Sequence, residues 1–368
     1  MQKQDGNFAL NLFTKNAFLK RLIAFLIIFS LPSSALSHII LDTTMGKYTI
    51  EDELIEEVLK SESMQRLKKI DVSGPAPYFS KLPKFSRFDH SIGVMLLVKK
   101  AGRSRKEQVA ALLHDVSHTA FSHIGDNLFY KSNMAKSYQD IVHLEFIKNT
   151  NLPNLLQKHN IKTEDLDPDK HEYSALEREL PDLCADRIQY LIHTGVILGK
   201  ISKKTAKNMV DDLKFENDKW FFSRSDYAET LGYLSLDFTE NIYGSPYNAA
   251  IYEYFTKILK RATALGLFSQ DDIKKSTDKE ILYKLSKSCD WLIVKSLKTL
   301  RILDKKIEVV PFGEGECNQK PKFRGVDPYV KIGSGDLVRI SAINPDYRKK
   351  FKHIQEFCNK GFGVNIKE

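Results

Sequence analysis

Four cysteines in 368 residues, Cys184, Cys289, Cys317 and Cys358, never stand in C-x-x-C spacing, which excludes a zinc knot of the usual kind. In an oxidising compartment a Cys317–Cys358 bridge stays open, since pairing is not written in a sequence. The apolar run Leu22–Leu31 is too short for a membrane span. There is no internal repeat and no low-complexity tract, so a solenoid and a disordered chain are both excluded. Nor is there a block of like charge. The net charge of +9 is spread along the chain, which permits phosphate, nucleic acid or an anionic surface as partner without marking any of them. What is present is 42% hydrophobic and 28% charged residues, enough for a core in one large domain or two ordinary ones.

The first residues read as an export signal. Lys15, Lys20 and Arg21 precede the apolar run, and Ala35-Leu36-Ser37 fits a small-x-small cleavage site, so 1–37 is expected to be a signal peptide and the protein to be periplasmic or secreted, with no stable membrane span after cleavage. An uncleaved anchor is the second reading. A mis-called start with Met45 as initiator, leaving a cytoplasmic protein, is the third; it would remove the first strand of "HIILDTTMGKYTIEDELIEEVLK", which reads as strand-turn-strand-helix.

Beyond it, Glu51–Ile70 has helical periodicity with acids early and bases late. "DVSGPAPYFSKLP" is a Gly/Pro loop. Helices are expected over "SRFDHSIGVMLLVKKAG", "RKEQVAALLHDVSH", Ser137–Asn149, Glu177–Gly195, Tyr227–Leu265 and Lys279–Leu300. "LKFENDKWFFS" reads as a hairpin turning at Asn217-Asp218, and "KKIEVVPF" and "YVKIGSGDLVRIS" as strands. The fold class is mainly α, with a small β-hairpin insertion and a smaller mixed α/β C-terminal part.

Within "AALLHDVSHTAFSH" an apolar helix ends in His114, Asp115, His118 and His123, residues that a core disfavours. With His90 on the preceding helix and Asp186 in "ELPDLCADRIQYL", two imidazoles and two carboxylates suit a divalent metal (Mn, Fe, Co, Zn or Mg) and fill only part of an octahedral shell. The open positions could hold water and a phosphate oxygen.

"RFDHSIGV", "AALLHDVSHTAFSH" and "LCADRIQYL", preceded by "SESMQRLKKIDVSGPAPYF", resemble the successive signature segments of HD-domain phosphohydrolases. The similarity is greatest to the branch of deoxynucleotide triphosphohydrolases and SAM-and-HD-domain dNTPases, and runs over Ile39–Leu265. It implies an HD helical core over 38–265 with a C-terminal extension over 266–368. It also implies metal ligands at His90, His114, Asp115 and Asp186. Arg87 would grip substrate phosphate in a bidentate way, and Arg187 and Tyr190 would face substrate. His118 would lie near the phosphates and His123 would be general acid, oriented by Asp126 and His143. The plainer alternatives are support to the ligands for His118 and His123, a helix cap for Asp126, a surface position for His143, and core packing for Tyr190 and Cys184.

The chain departs from that branch at Gln189, where an acid is common, and at His193-Thr194, where an Arg-Asp pair is usual; no clamping arginine is found in "NIYGSPYNAAIYEYFTKILKR". The expected reaction is hydrolysis of a deoxynucleoside triphosphate, dGTP for example, to nucleoside and triphosphate. The alternatives are another nucleotide phosphodiesterase or nucleotidase, and a non-catalytic metal-dependent sensor of nucleotide or nucleic acid. Self-association into a homo-oligomer stays open.

Overall fold

Ser61 shows how local chemistry divides the N-terminal helical pattern. The periodicity over Glu51–Ile70 predicts one helix, yet Ser61 leaves helical geometry (φ −61°, ψ 149°), its hydroxyl donating to the Val58 carbonyl and accepting from Met64 N. Serine is a favoured cap, so two helices result, Glu53–Lys60 and Glu62–Leu67. Ahead of them the strands Ile39–Thr43 and Gly46–Ile50 pair as the pattern requires. The computed structural model describes residues 39–129, 136–333 and 335–367; the expected signal segment lies outside them. Among the described residues no helix is long and apolar enough to cross a membrane.

The centre is the Arg87–Lys100 helix, buried continuously from His90 to Val98 and flanked by Arg105–Leu113 and Ala185–Ile197. A helix apolar on every side belongs in a core. Gly93 lets the last of these helices approach: a Cβ there would fall 2.6 Å from the Gln189 side chain.

The helices expected over Tyr227–Leu265 and Lys279–Leu300 are each interrupted, the first before Pro246 and the second between Ser286 and Trp291. Two helices beside the site are shorter than their sequence patterns. Arg105–Leu113 ends with His114 as C-cap, so Asp115 to His123 is turn, not helix. The helix expected from Glu177 begins at Ala185. The first loss frees Asp115, His118 and His123 from helical geometry, while Asp186, Arg187 and Tyr190 stay in the first turns of the second helix and still line the cavity.

The hairpin is Leu213–Glu216 and Lys219–Phe222, turning on Asn217 and Asp218 (φ 50° and 59°), the positive pair a two-residue turn demands. Lys219–Phe222 then pairs in parallel with Tyr329–Ile332, which pairs antiparallel with Asp336–Arg339, giving a four-stranded sheet. A second sheet places Phe362–Ile366 between Ile307–Val310 and Cys317–Gln319. "PDYRKKFKHI", whose charge suggests a solvated face, lies in the Pro345–Lys360 helix, which buries Tyr347, Ile354 and Cys358. One apolar cluster joins Phe121, Ile251, Phe255 and Leu259 to Ile281, Ile293, Leu300, Phe362 and Val364, drawing on both sides of Leu265. All four cysteines are free thiols, so Cys317 and Cys358 are unbridged.

Candidate active site

His90 and His114 face each other from adjacent helices, ring centroids 5.1 Å apart. Their far sides fix which nitrogen faces inward. His90 Nδ1 donates to Gln189 Oε1 (2.5 Å), and His114 Nδ1 donates to the Ala111 carbonyl (2.8 Å). Both rings therefore present Nε2 to the carboxylates. His90 Nε2 stands 2.8 Å from Asp186 Oδ1 and 3.6 Å from Asp115 Oδ2; His114 Nε2 stands 3.5 Å from Asp115 Oδ1 and 3.8 Å from Asp186 Oδ1. Gln189 does not weaken the set. It is the group that orients His90.

Arg87 is more committed than a free phosphate grip would be. Its Nε donates to Ser122 Oγ (2.7 Å) and its Nη1 to Asp115 Oδ2 (2.6 Å), while the buried Nη2 has no hydrogen-bond partner. A bidentate grip on phosphate through Nε and Nη1 is thus excluded, and Nη2 is the donor left. His118 Nε2 stands 3.2 Å from Asp115 Oδ1; burial, then the Arg87 charge, push its pKa down to about 3, so the ring is neutral and donates to Asp115. His123 reaches Asp126 (Nδ1–Oδ2 3.2 Å), and Asp126 Oδ1 accepts from Tyr138 N (2.7 Å), so Asp126 both braces the imidazole and satisfies the first N–H of the Tyr138–Lys148 helix.

His143 does not join them. It is buried, with Nε2 donating to the Leu166 carbonyl (3.1 Å) and Nδ1 on Ser117 Oγ (3.0 Å), so it orients Ser117 and not His123. Burial pushes its pKa down to about 4 and keeps it neutral. The branch-based expectation fails here because the Tyr138–Lys148 helix turns this ring toward the Leu166 side.

A cavity of about 510 Å³ opens over the cluster. It is lined by Arg87, His90, His114, Asp115, His118, His123, Asp126, Asp186, Arg187 and Tyr190, and so gathers ten of the eleven residues singled out in the sequence.

The HD domain family model matches residues 87–186, a span that opens on Arg87 and closes on Asp186. The uncharacterized protein YdhJ of Bacillus subtilis is 33% identical over 331 residues, covering 88% of this chain and 98% of that protein. The metal-dependent phosphohydrolase cns2 of Cordyceps militaris is 28% identical over 305 residues, covering 80% of this chain and 85% of that one. This chain belongs to the HD-domain phosphohydrolases. Its fold is shared with a phosphohydrolase from Bacteroides thetaiotaomicron (TM-score 0.62, 16% identity, 83% of this chain and 94% of that one covered). It is also shared with a hypothetical protein from Aquifex aeolicus (TM-score 0.60, 16% identity, 87% and 99% covered).

In an HD-domain phosphohydrolase these residues should fit a divalent ion, and they do. The His90, His114 and Asp115 donor atoms lie within 4.8 Å of one another. Neighbouring ligands in an octahedral shell with bonds of about 2.1 Å are roughly 3 Å apart. His114 Nε2 is buried without a hydrogen-bond partner, the donor such an ion would engage. Burial opposes charge on His114, yet the Asp115 and Asp186 carboxylates outweigh it and push the imidazole up to about 9. Burial likewise opposes charge on Asp115, but Arg87 and then His114 hold it well below the ordinary carboxylate range. The cluster is thus anionic enough to bind a cation in place of the His114 proton.

Sequence reasoning missed part of the HD-domain site. Lys322 and Arg324 enter the cavity from the C-terminal part, with Glu177, Tyr243 and Tyr252. No arginine of "NIYGSPYNAAIYEYFTKILKR" lines the cavity, whereas Arg324 does, lying over the Tyr243 ring (5.7 Å). The only local signal is the basic pair in "KPKFRG", and nothing in the linear order links it to residue 87. Arg324, and then burial, pull the Lys322 ammonium below its usual range, the Asp140 and Asp126 carboxylates offsetting only part of that effect.

Proposed function

We propose that the chain hydrolyses deoxynucleoside triphosphates to nucleoside and triphosphate. The observation that carries this reading is that one cavity, which also holds acids such as Asp140 and Glu177, brings to the His-Asp cluster the cations Arg87, Arg187, Lys322 and Arg324 and the rings of Tyr190, Tyr243 and Tyr252. Four positive charges suit a polyanion better than a single phosphate, and aromatic walls suit a nucleoside. The cavity volume falls in the range of small-molecule sites.

Bound at His90, His114, Asp115 and Asp186, a divalent ion supplies Lewis-acid activation of water and offsets charge developing on phosphorus. The chain's own groups do the rest. Arg87 Nη2, with Arg187, Lys322 and Arg324, holds the phosphates in the low-dielectric cavity where such contacts are strongest. His118, by donating to Asp115, keeps that carboxylate oriented. His123, its Nδ1 braced by Asp126, would give the Nε2 proton to the departing 5′ oxygen. Burial depresses the His123 pKa in the resting site, with Arg87 adding to the effect. An incoming polyphosphate opposes that charge and raises it, so the acid is loaded when substrate is present.

The test is a nucleotide panel with Mn²⁺ and identification of products. Release of intact triphosphate from a deoxynucleotide is the expected result. Stepwise phosphate loss, or monophosphate release, refutes it and favours a nucleotidase or phosphodiesterase; no turnover with any divalent ion favours a metal-dependent sensor.

A further inference from the structure

Phe121 and Ser122 both occupy the left-handed region (φ 59° and 54°), which L side chains seldom adopt and which persists only where the surroundings enforce it. These two residues immediately precede His123 in the four-residue link from His118, so whatever enforces the turn also places the acid. The enforcing contacts come from a segment far along the chain. Ala120 N donates to the Ile273 carbonyl (2.9 Å). Arg66 joins the His118 carbonyl (2.6 Å) to those of Lys274 (2.9 Å) and Lys275 (2.9 Å).

The keystone is Asp278, fully buried at the start of the Asp278–Ser286 helix. The cap of that helix is Thr277, which leaves the Asp278 carboxylate free for other partners. It uses both oxygens on other segments. Its Oδ1 accepts from Phe121 N (2.7 Å), and its Oδ2 accepts from Asp71 N (2.9 Å) and Tyr78 Oη (3.0 Å). The Asp71 carbonyl in turn accepts from Ser122 Oγ (2.5 Å), the same hydroxyl that accepts from Arg87 Nε (2.7 Å). One carboxylate therefore fixes the backbone on both sides of the Ser122 hydroxyl, and that hydroxyl sets the plane of the Arg87 guanidinium.

We infer that Asp278 is a positioning residue of the active site: it holds the Phe121-Ser122 turn and, through Ser122, aims Arg87 at substrate phosphate. The aiming half rests on the reading of Arg87 as a phosphate grip; the turn-holding half does not. Asp278 touches neither the metal cluster nor the cavity wall, so its removal should spare metal binding and impair anion binding.

Asp278→Asn keeps the shape but leaves one acceptor oxygen in place of two. Two measurements on the full chain decide the matter. Deuterium uptake at residues 117–123 should rise by about tenfold or more in the variant, with the Arg87–Lys100 helix unchanged. Affinity of the Mn²⁺-loaded protein for inorganic tripolyphosphate should fall about tenfold or more, the cost of one charge-assisted bond, while affinity for Mn²⁺ alone stays within about twofold. Ser122→Ala should lose a similar amount, and the double variant no more than either single one, because both act through one path. Unchanged uptake in the turn, unchanged tripolyphosphate affinity, additive losses or an equal fall in Mn²⁺ affinity would each overturn the inference. Should Asp278→Asn not fold, Tyr78→Phe removes a single contact to the same oxygen and should give the same changes at smaller size; no change overturns the inference equally. If the unaltered protein binds no tripolyphosphate, the reading of Arg87 falls, and uptake in the turn alone decides whether Asp278 holds it.

Discussion

Arg87→Lys keeps the positive charge and removes the fork, so it separates geometry from charge. The guanidinium divides its three nitrogens among Ser122 Oγ (2.7 Å), Asp115 Oδ2 (2.6 Å) and, through the unpartnered Nη2, the cavity. A lysine has one nitrogen on a shorter reach and cannot serve all three. In this buried setting the ammonium should settle on Asp115, the only anion among those partners, and so abandon both Ser122 and substrate. Losing one charge-assisted bond to phosphate is worth ~1.5–3 kcal/mol, which is a fall in kcat/KM of roughly 10- to 150-fold. Stability should drop by only ~1 kcal/mol or so, because the Asp115 charge stays paired. Arg87→Ala would instead leave Asp115 buried and unpaired, a cost of ~3–5 kcal/mol. The assay is steady-state kinetics with Mn²⁺ beside urea unfolding of both variants. If Arg87→Lys retained activity within about threefold, charge alone would suffice and the reasoning from the fork would be wrong.

Arg324→Ala should raise KM by about tenfold or more with little change in Mn²⁺ affinity, since Arg324 lines the cavity without touching the cluster; an unchanged KM would remove the C-terminal part from substrate binding. Mn²⁺ at about 100 times its Kd should stabilise the protein by ~2.7 kcal/mol, and the double variant His114→Ala/Asp115→Ala should show no such gain in thermal melts. His143 sets part of the acid limit. Its folded pKa, about 4, lies below its unfolded value, so its contribution is whole above roughly pH 6.5 and is lost as pH falls through 4. A gap of that size is worth ~3 kcal/mol, and His143→Gln should flatten the stability curve between those limits. Asp71 and Asp278, pushed up to about 6 and about 7 by burial, act in the opposite sense, their contribution present in acid and lost as pH rises through those values. An acid limb unaltered by His143→Gln in urea titrations at pH 4 to 8 would count against the assignment.

The residues of the His-Asp cluster stood out in the sequence because they sit in short, ordered segments whose residue types suit no core, and the fold brings them together. The hairpin was legible because Asn-Asp at its tip suits a turn with two positive φ values. Where the reading failed, the deciding partner was mostly distant. Helical periodicity ran on past Leu113, where nothing nearby signals the stop, and back to Glu177 across Pro181, a residue that a helix interior does not accommodate. The Asp115–His123 turns are shaped by Asp278 and Arg66, and the Glu177–Cys184 stretch by Asp327, whose N–H donates to the Pro181 carbonyl (2.9 Å), and by Arg339, which pairs with Asp182. Gln189 looked like a lost acid because its role is visible only against His90 and the bare backbone of Gly93.

The parallel pairing of Phe221 with Tyr329 has a consequence for how the protein is made. A nascent chain emerges at about 5–20 residues per second, so the hairpin waits roughly 5–20 s before its partner strand leaves the ribosome. Lys322 and Arg324 arrive in the same interval, after the entire His-Asp cluster has been synthesised. Translation therefore completes the metal-binding half of the cavity before its outer cationic wall. A partly made chain holds the His-Asp cluster before Lys322 and Arg324 have joined the cavity wall.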